Sequence, residues 1–231
     1  MPYRRILLAA FVAVTVANLA AHVTDSRTGE LLTKPLLMPL LAGYLWRAAR
    51  DQGRRPDRLV LAALALSTGG DIALLGDGTG PFLTGMVLFL AAHGCYITAF
   101  TRGGAARPLR RPPLVAVPIG YAVATTAALA WMWSGLTDAG LALPVAGYAV
   151  ALATMAATAA AHGPRVALGG ALFLVSDLLI ATGVAEVGDL PGPPVWVMAT
   201  YCAAQALIAT GWAARAGTPA ALTPAGSPVP R

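Results

Sequence analysis

Charged residues are scarce in this sequence, at 11% of 231 residues, whereas about 25% is usual for a soluble domain. The composition therefore excludes a soluble globular protein. Hydrophobic residues account for 57% of the chain, and the mean hydropathy is +0.68. Aromatic residues are also few, while alanine and glycine are common. Because small side chains let membrane helices pack closely, this balance favours a compact helical bundle in a membrane.

Cysteine is nearly absent, and the two that occur, Cys95 and Cys202, fall inside predicted helices. Small packing residues are the expected role for both, so the sequence offers little support for a disulfide or a metal site. His22 and His162 are predicted at opposite faces of the membrane. Their separation argues against a zinc site built from them and His93.

Long apolar runs divide the chain, and runs of about 18 or more residues are typical of membrane-spanning helices. We find eight, at residues 5–22, 34–49, 58–76, 81–101, 112–133, 139–161, 165–184 and 194–214. The sequence therefore predicts an all-α membrane protein, a compact bundle of eight transmembrane helices over residues 1–215. Residues 216–231, rich in proline, alanine and glycine, are predicted to form a disordered tail.

The chain has a net charge of +6, and its basic residues are unevenly divided between the two sides of the predicted membrane. All but two of the 16 basic residues lie on one side of the predicted membrane, the exceptions being Arg27 and Lys34. The opposite loops carry Asp25, Glu30, Asp77, Asp138, Glu186 and Asp189. Because cytoplasmic loops are enriched in Lys and Arg, we expect both termini in the cytoplasm and a multi-pass protein of the cell membrane. The same distribution explains the basic charge without a nucleic-acid partner.

Two predicted hairpins resemble each other. Spans three and four contain Asp71, a short acidic loop and a helix with polar side chains, and spans seven and eight repeat this order around Asp177. The offset of four spans preserves orientation, which favours two parallel four-helix repeats. Chance similarity between two apolar hairpins is the alternative.

Asp71 and Asp177 lie inside predicted spans, where a carboxylate costs roughly 2.5–3.5 kcal/mol. Counting about 1.5 Å per residue places both in the outer halves of their spans. The same layer, between the outer surface and the midplane, contains Lys34, His93, Tyr96, Tyr201 and Gln205. Scattered structural polar residues would have no reason to share one depth. Intramembrane ionisable residues usually face the bundle interior and mark a functional site.

Each of these polar residues also has a simpler interpretation. The two aspartates could bridge neighbouring helices, and Lys34 could extend its ammonium group to the membrane surface. Asn18 and Gln205 could hydrogen-bond between helices, and Ser176 could bond to its own helix. His93, Tyr96 and Tyr201 could be packing residues.

Five segments, at residues 33–41, 70–75, 82–100, 171–181 and 200–211, resemble the YhhN, or lysoplasmalogenase, family in order along nearly the whole chain. The resemblance implies an integral membrane hydrolase that cleaves the vinyl ether bond of lysoplasmalogens. The products would be a fatty aldehyde and glycerophosphoethanolamine or glycerophosphocholine. By matching position, the family's polar set falls on Lys34, Asp71, His93, Tyr96, Ser176, Asp177, Tyr201 and Gln205. The implied partners are a lysophospholipid and the lipid bilayer, and the chemistry requires no metal or organic cofactor.

The chemistry of a vinyl ether suits a pair of carboxyl groups. Protonation of its β-carbon leaves an oxocarbenium-like cation, to which water adds. We expect either Asp71 or Asp177 to be the acid and the other to stabilise the cation and orient water, as in glycoside hydrolysis. Lys34 would pair with the lipid phosphate or influence a carboxyl group. The remaining polar residues of the set would bind or orient.

Other functions remain open at this stage, as does the oligomeric state. A small proton-coupled transporter could use the same carboxylates, and a scaffold could use none of them. An intramembrane aspartyl protease also needs two aspartates, usually in Gly-x-Gly-Asp and Tyr-Asp. Here Thr68 replaces the first glycine and Ser176 precedes Asp177, and both departures count against a protease.

Overall fold

The computed structural model describes residues 2–188 and 193–215, and these ranges contain eight α-helices and no β-strand. The helices are α1 (Pro2–Val23), α2 (Arg27–Asp51), α3 (Arg58–Ala73), α4 (Thr79–Arg102), α5 (Ala116–Asp138), α6 (Ala142–Ala160), α7 (Pro164–Val184) and α8 (Pro193–Arg215). A short 3₁₀ helix, Pro108–Arg110, lies between α4 and α5. The predicted all-α architecture is confirmed, whereas Asp189 and the predicted tail at 216–231 lie outside the described residues.

Six of the helices in the described ranges, α1 and α4 to α8, are long and apolar enough to cross a membrane. The chain is therefore a multi-pass membrane protein. α3 has 16 residues, and α2 carries several charged side chains at its two ends. Both contribute to the core, where Leu37, Met38 and Leu64 are fully buried, and both also expose large apolar side chains, among them Trp46 and Ile72. That α2 and α3 also span the membrane, and that both termini are cytoplasmic, stay predictions.

Helix α2 begins earlier than the predicted residue 34. Ser26 caps it, and its side chain accepts a hydrogen bond from the Gly29 amide at 3.3 Å, which satisfies one of the free amides of the first turn. Lys34 therefore lies inside α2, about 10 Å along the helix axis from Arg27, and its predicted depth in the membrane stays a prediction. α5 instead begins later than predicted, at Ala116, because consecutive prolines at 112 and 113 disfavour a helix.

Many of the contacts between helices in the first half of the chain have a counterpart four helices later. The pairs α1–α2, α2–α3 and α3–α4 pack together, and so do α5–α6, α6–α7 and α7–α8. Contacts between α2 and α8, and between α4 and α6, join the two halves in a corresponding way. Other contacts depart from a parallel repeat, since α1 packs on α8 and α5 on α7 without comparable α4–α5 and α1–α3 contacts. The two-repeat organisation therefore stays a prediction.

Helix α5 approaches the end of α7 closely at Gly135. A Cβ atom at this position would overlap the backbone carbonyl of Ala185, the residue that caps α7. Only glycine permits this approach. The described side chains that α5 buries are Met132 and Leu136, near the same contact. α5 is therefore a peripheral helix held mainly at its C-terminal end.

We expect Gly135→Ala to destabilise the protein by about 1–3 kcal/mol, because the new methyl group forces the backbones of α5 and α7 apart. Gly147→Ala on α6 is the matched control, since a Cβ there meets nothing within 4 Å and alanine favours a helix. Thermal unfolding of the purified proteins in detergent measures both. Equal melting temperatures for the two variants would contradict this account of the α5–α7 contact.

Candidate active site

A cavity of about 370 Å³ lies among the helices on one side of the bundle. Apolar side chains from α3, α4, α6, α7 and α8 form most of its wall. Its polar or ionisable lining residues are His22, Lys34, Asp71, Tyr148, Ser176, Asp177 and Tyr201. Five of the eight predicted site residues therefore share one cavity, with carboxyl groups contributed by α3 and α7.

Asp71 is held against α8. Its side chain is only 3% exposed, and the Tyr201 hydroxyl donates a hydrogen bond to its Oδ2 atom at 2.9 Å. Lys34 lines the same cavity and interacts electrostatically with Asp71. This carboxyl group thus has a hydrogen-bond donor and a cation nearby, which are the partners that a buried carboxylate requires.

Asp177 has a different environment. The hydroxyl group of Tyr148, on α6, donates a hydrogen bond to its Oδ2 atom, and the residue is half-buried. Sequence reasoning missed Tyr148 because a lone tyrosine in the apolar run of α6 gives no sign of which neighbour it faces. The structure shows that it faces α7 and bonds directly to one of the two intramembrane carboxyl groups.

Gln205 lies behind the cavity and connects three buried hydroxyl groups. Its Oε1 accepts a hydrogen bond from Tyr96 at 2.6 Å, and its Nε2 donates to Ser67 at 3.1 Å and to the Tyr201 oxygen at 3.4 Å. Gln205, Tyr96 and Ser67 are all fully buried. Ser67, which the sequence did not single out, completes this network. Through Tyr201, the network supports the position of Asp71.

His93 is also fully buried and does not line the cavity. Its Nδ1 lies 2.5 Å from the Phe89 carbonyl oxygen, so Nδ1 carries the proton, while Nε2 is buried without a hydrogen-bond partner. The ring packs against Tyr148 and Phe173, with centroid distances of 5.3 and 4.9 Å. His93, like Tyr96 and Gln205, thus lies behind the polar wall of the cavity.

The remaining polar residues connect helices near the cavity. Ser176 donates a hydrogen bond to the Val197 carbonyl at 3.1 Å, which links α7 to α8 rather than α7 to itself. Asn18 donates to the Thr33 hydroxyl at 2.8 Å and links α1 to α2. His22, a lining residue that the sequence did not place at the site, lies 3.1 Å from a Glu30 carboxylate oxygen.

The described part of the chain contains no cluster of three or more metal-ligating His, Cys, Asp or Glu side chains. Cys95 and Cys202 are both free. His162 lies at the end of α6, where its Nε2 donates to the Phe100 carbonyl at 2.8 Å, and it does not line the cavity.

These features define a multi-pass helical membrane protein that holds two carboxyl groups in one largely apolar cavity. The YhhN family model matches residues 29–212. The chain belongs to the YhhN family.

Two curated relatives support the same placement. A protein of Mycobacterium bovis named lysoplasmalogenase is 33% identical over 216 residues, which cover 89% of this chain and 80% of the relative. The human protein named lysoplasmalogenase TMEM86B is 30% identical over 177 residues, which cover 77% of this chain and 72% of the relative. No solved structure matches the chain.

We expect Gln205→Leu to destabilise the fold by at least about 2 kcal/mol, because it deprives the Tyr96 and Ser67 hydroxyl groups of a partner away from water. Thr210→Val on the same helix is the control. The Thr210 hydroxyl bonds within its own helix, to the Ala206 carbonyl at 2.7 Å, so its loss should cost about 1 kcal/mol or less. Chemical or thermal unfolding in detergent compares the two, and similar losses would show that the network contributes little.

Proposed function

We propose that this protein hydrolyses the vinyl ether bond of lysoplasmalogens, releasing a fatty aldehyde and glycerophosphoethanolamine or glycerophosphocholine. The observation that carries the proposal is the pair of carboxyl groups, Asp71 and Asp177, at one cavity in a chain of the YhhN family. The names of the curated relatives support the same substrate class. The largely apolar wall suits a substrate that is dissolved in a membrane.

The proposed reaction has three steps. A carboxylic acid transfers a proton to the β-carbon of the vinyl ether, and the carbon bonded to oxygen becomes part of an oxocarbenium ion. Water, losing a proton to a carboxylate, adds to that carbon and forms a hemiacetal. The hemiacetal then breaks its bond to the glycerol oxygen, which gains a proton, and the aldehyde is released. One water is consumed, and no electron donor or acceptor is involved.

The two carboxyl environments support different roles. Asp71 accepts a hydrogen bond from Tyr201 and shares its cavity with the Lys34 ammonium, and both a donor and an opposite charge stabilise a carboxylate. Asp71 is therefore proposed to be ionised, to stabilise the oxocarbenium ion and to orient water. Asp177 is proposed to be the general acid. Tyr148 bonds to its Oδ2, which leaves Oδ1 to carry the proton that is transferred.

Lys34 and His22 are proposed to define the end of the cavity that receives the phosphate-bearing head group. Both line the cavity, and a lysine ammonium is a suitable point charge for a phosphate oxygen. The cavity belongs to the side of the bundle that the distribution of basic residues assigns to the outer membrane face. A single-chain lipid could then enter from the outer leaflet with its head group near the surface.

We expect Asp71→Asn and Asp177→Asn each to lower aldehyde release at least about a hundredfold, because acid–base catalysis typically contributes that much or more. The assay uses purified protein in detergent and a lysoplasmalogen, and follows the aldehyde product. Asp77→Asn, in the exposed turn after α3 and away from the cavity, is the control and should retain activity.

Full activity in both cavity variants would overturn the two-carboxylate mechanism. An absence of aldehyde from folded wild-type protein would overturn the proposed substrate. It would direct attention to other lipids and then to proton-coupled uptake in liposomes, since a small transporter could use the same carboxyl groups.

We expect Tyr148→Phe to lower kcat about tenfold to a hundredfold, because it removes a hydrogen bond to a carboxyl group without changing the shape of the wall. KM should change less, since the Tyr148 hydroxyl positions Asp177 rather than the lipid. Tyr121→Phe, on α5, provides the control, because Tyr121 does not line any cavity that Asp177 borders. A larger effect on KM than on kcat would instead assign Tyr148 to substrate binding.

A further inference from the structure

A second, smaller cavity lies between α5, α6 and α7, with a volume of about 110 Å³. It shares four lining residues with the proposed active site: Val145, Tyr148, Asp177 and Ala181. Apart from Thr125, its other lining side chains are alanine, leucine and methionine. Asp177 and Tyr148 therefore stand at the boundary between a cavity that contains Lys34 and one that is almost wholly apolar.

The second cavity follows from the way α5 packs. The helix is held against the end of α7 at Gly135, and its buried side chains lie near that contact. Further toward its N-terminus, α5 presents Ala124 and Ala128 to the cavity, opposite Ala149 of α6. Methyl groups this small do not fill the space between three helices, so the cavity remains beside Asp177.

The chemistry of the substrate requires an apolar space at this place. The β-carbon that receives the proton is the carbon from which the hydrocarbon chain of the lipid continues. An acid that protonates this carbon therefore lies beside the start of the hydrocarbon chain. The glycerol oxygen and the phosphate lie on the opposite side of the double bond. With Lys34 on the head-group side, the chain must leave the active site past Asp177.

We propose that the cavity between α5, α6 and α7 binds the first part of the alkenyl chain of the lysoplasmalogen. Ala128 and Ala149 then set the space available to the chain. The inference rests on the proposed function and adds the place and the residues that select for the chain. Ala124, which also lines the cavity, is exposed on the surface of the bundle, so the remainder of a long chain can extend into the bilayer.

The test compares two lysoplasmalogens that differ only in chain length, a hexadecenyl form and an ethenyl form whose chain ends at the β-carbon. The measured quantity is the ratio of kcat/KM for the long chain to that for the short chain. Ala128→Phe should lower this ratio at least about tenfold, because the new ring occupies space in which methylene groups of the long chain would be buried.

Ala127→Phe is the matched control, since it makes the same change at the next residue of α5. Ala127 is exposed and does not line the cavity, so the ratio should stay at its wild-type value. Ala149→Phe fills the cavity from α6 and should lower the ratio as Ala128→Phe does. It also decides the question if Ala128→Phe does not fold, as judged by its melting temperature.

An unchanged ratio in the folded Ala128→Phe and Ala149→Phe proteins, with wild-type hydrolysis intact, would overturn the chain site and leave the proposed function standing. An equal loss of activity on both substrates would overturn it as well, because the cavity would then act on catalysis rather than on the chain. If the wild type hydrolyses neither substrate, the proposed function fails and the chain site fails with it.

Discussion

The structure depends on the need to give every polar group inside the bundle a partner, because the hydrocarbon core of a membrane supplies no water. Asp71 and Asp177 are the most demanding of these groups. Each accepts a hydrogen bond from a tyrosine on another helix, Tyr201 for Asp71 and Tyr148 for Asp177. These two bonds connect α3 to α8 and α6 to α7. The hydrogen bonds that stabilise the carboxyl groups therefore also hold together the helices that form the cavity.

A buried layer of hydrogen bonds and ring contacts lies behind the cavity. Gln205 joins Tyr96, Ser67 and Tyr201, and the His93 ring packs against Tyr148. Side chains that contact a reacting group must be held in place by others, since small displacements cost much of the catalytic effect. Three predicted site residues, His93, Tyr96 and Gln205, belong to this layer. That they orient the groups at the cavity stays a prediction.

The two carboxyl groups differ in their surroundings. α3 and α7 are corresponding helices in the predicted repeat, and each contributes one carboxyl group. Their tyrosine partners do not correspond, since one comes from α8 and the other from α6. Both carboxyl groups line the cavity that contains Lys34, whereas only Asp177 also borders the apolar cavity beside α5. Two carboxyl groups in unlike environments can take unlike roles.

The sequence by itself determined the helical class, the approximate bounds of the helices and the presence of two intramembrane carboxyl groups, because hydropathy and charge are local properties of the chain. It predicted neither Tyr148 nor Ser67 nor His22 at or beside the site, and it began α2 seven residues too late. Which face of an apolar helix meets which neighbour is not encoded in hydropathy when nearly every face is apolar. Only the tertiary structure, through contacts such as the Tyr201–Asp71 and Tyr148–Asp177 hydrogen bonds, decided which polar side chains share a cavity and which lie behind it.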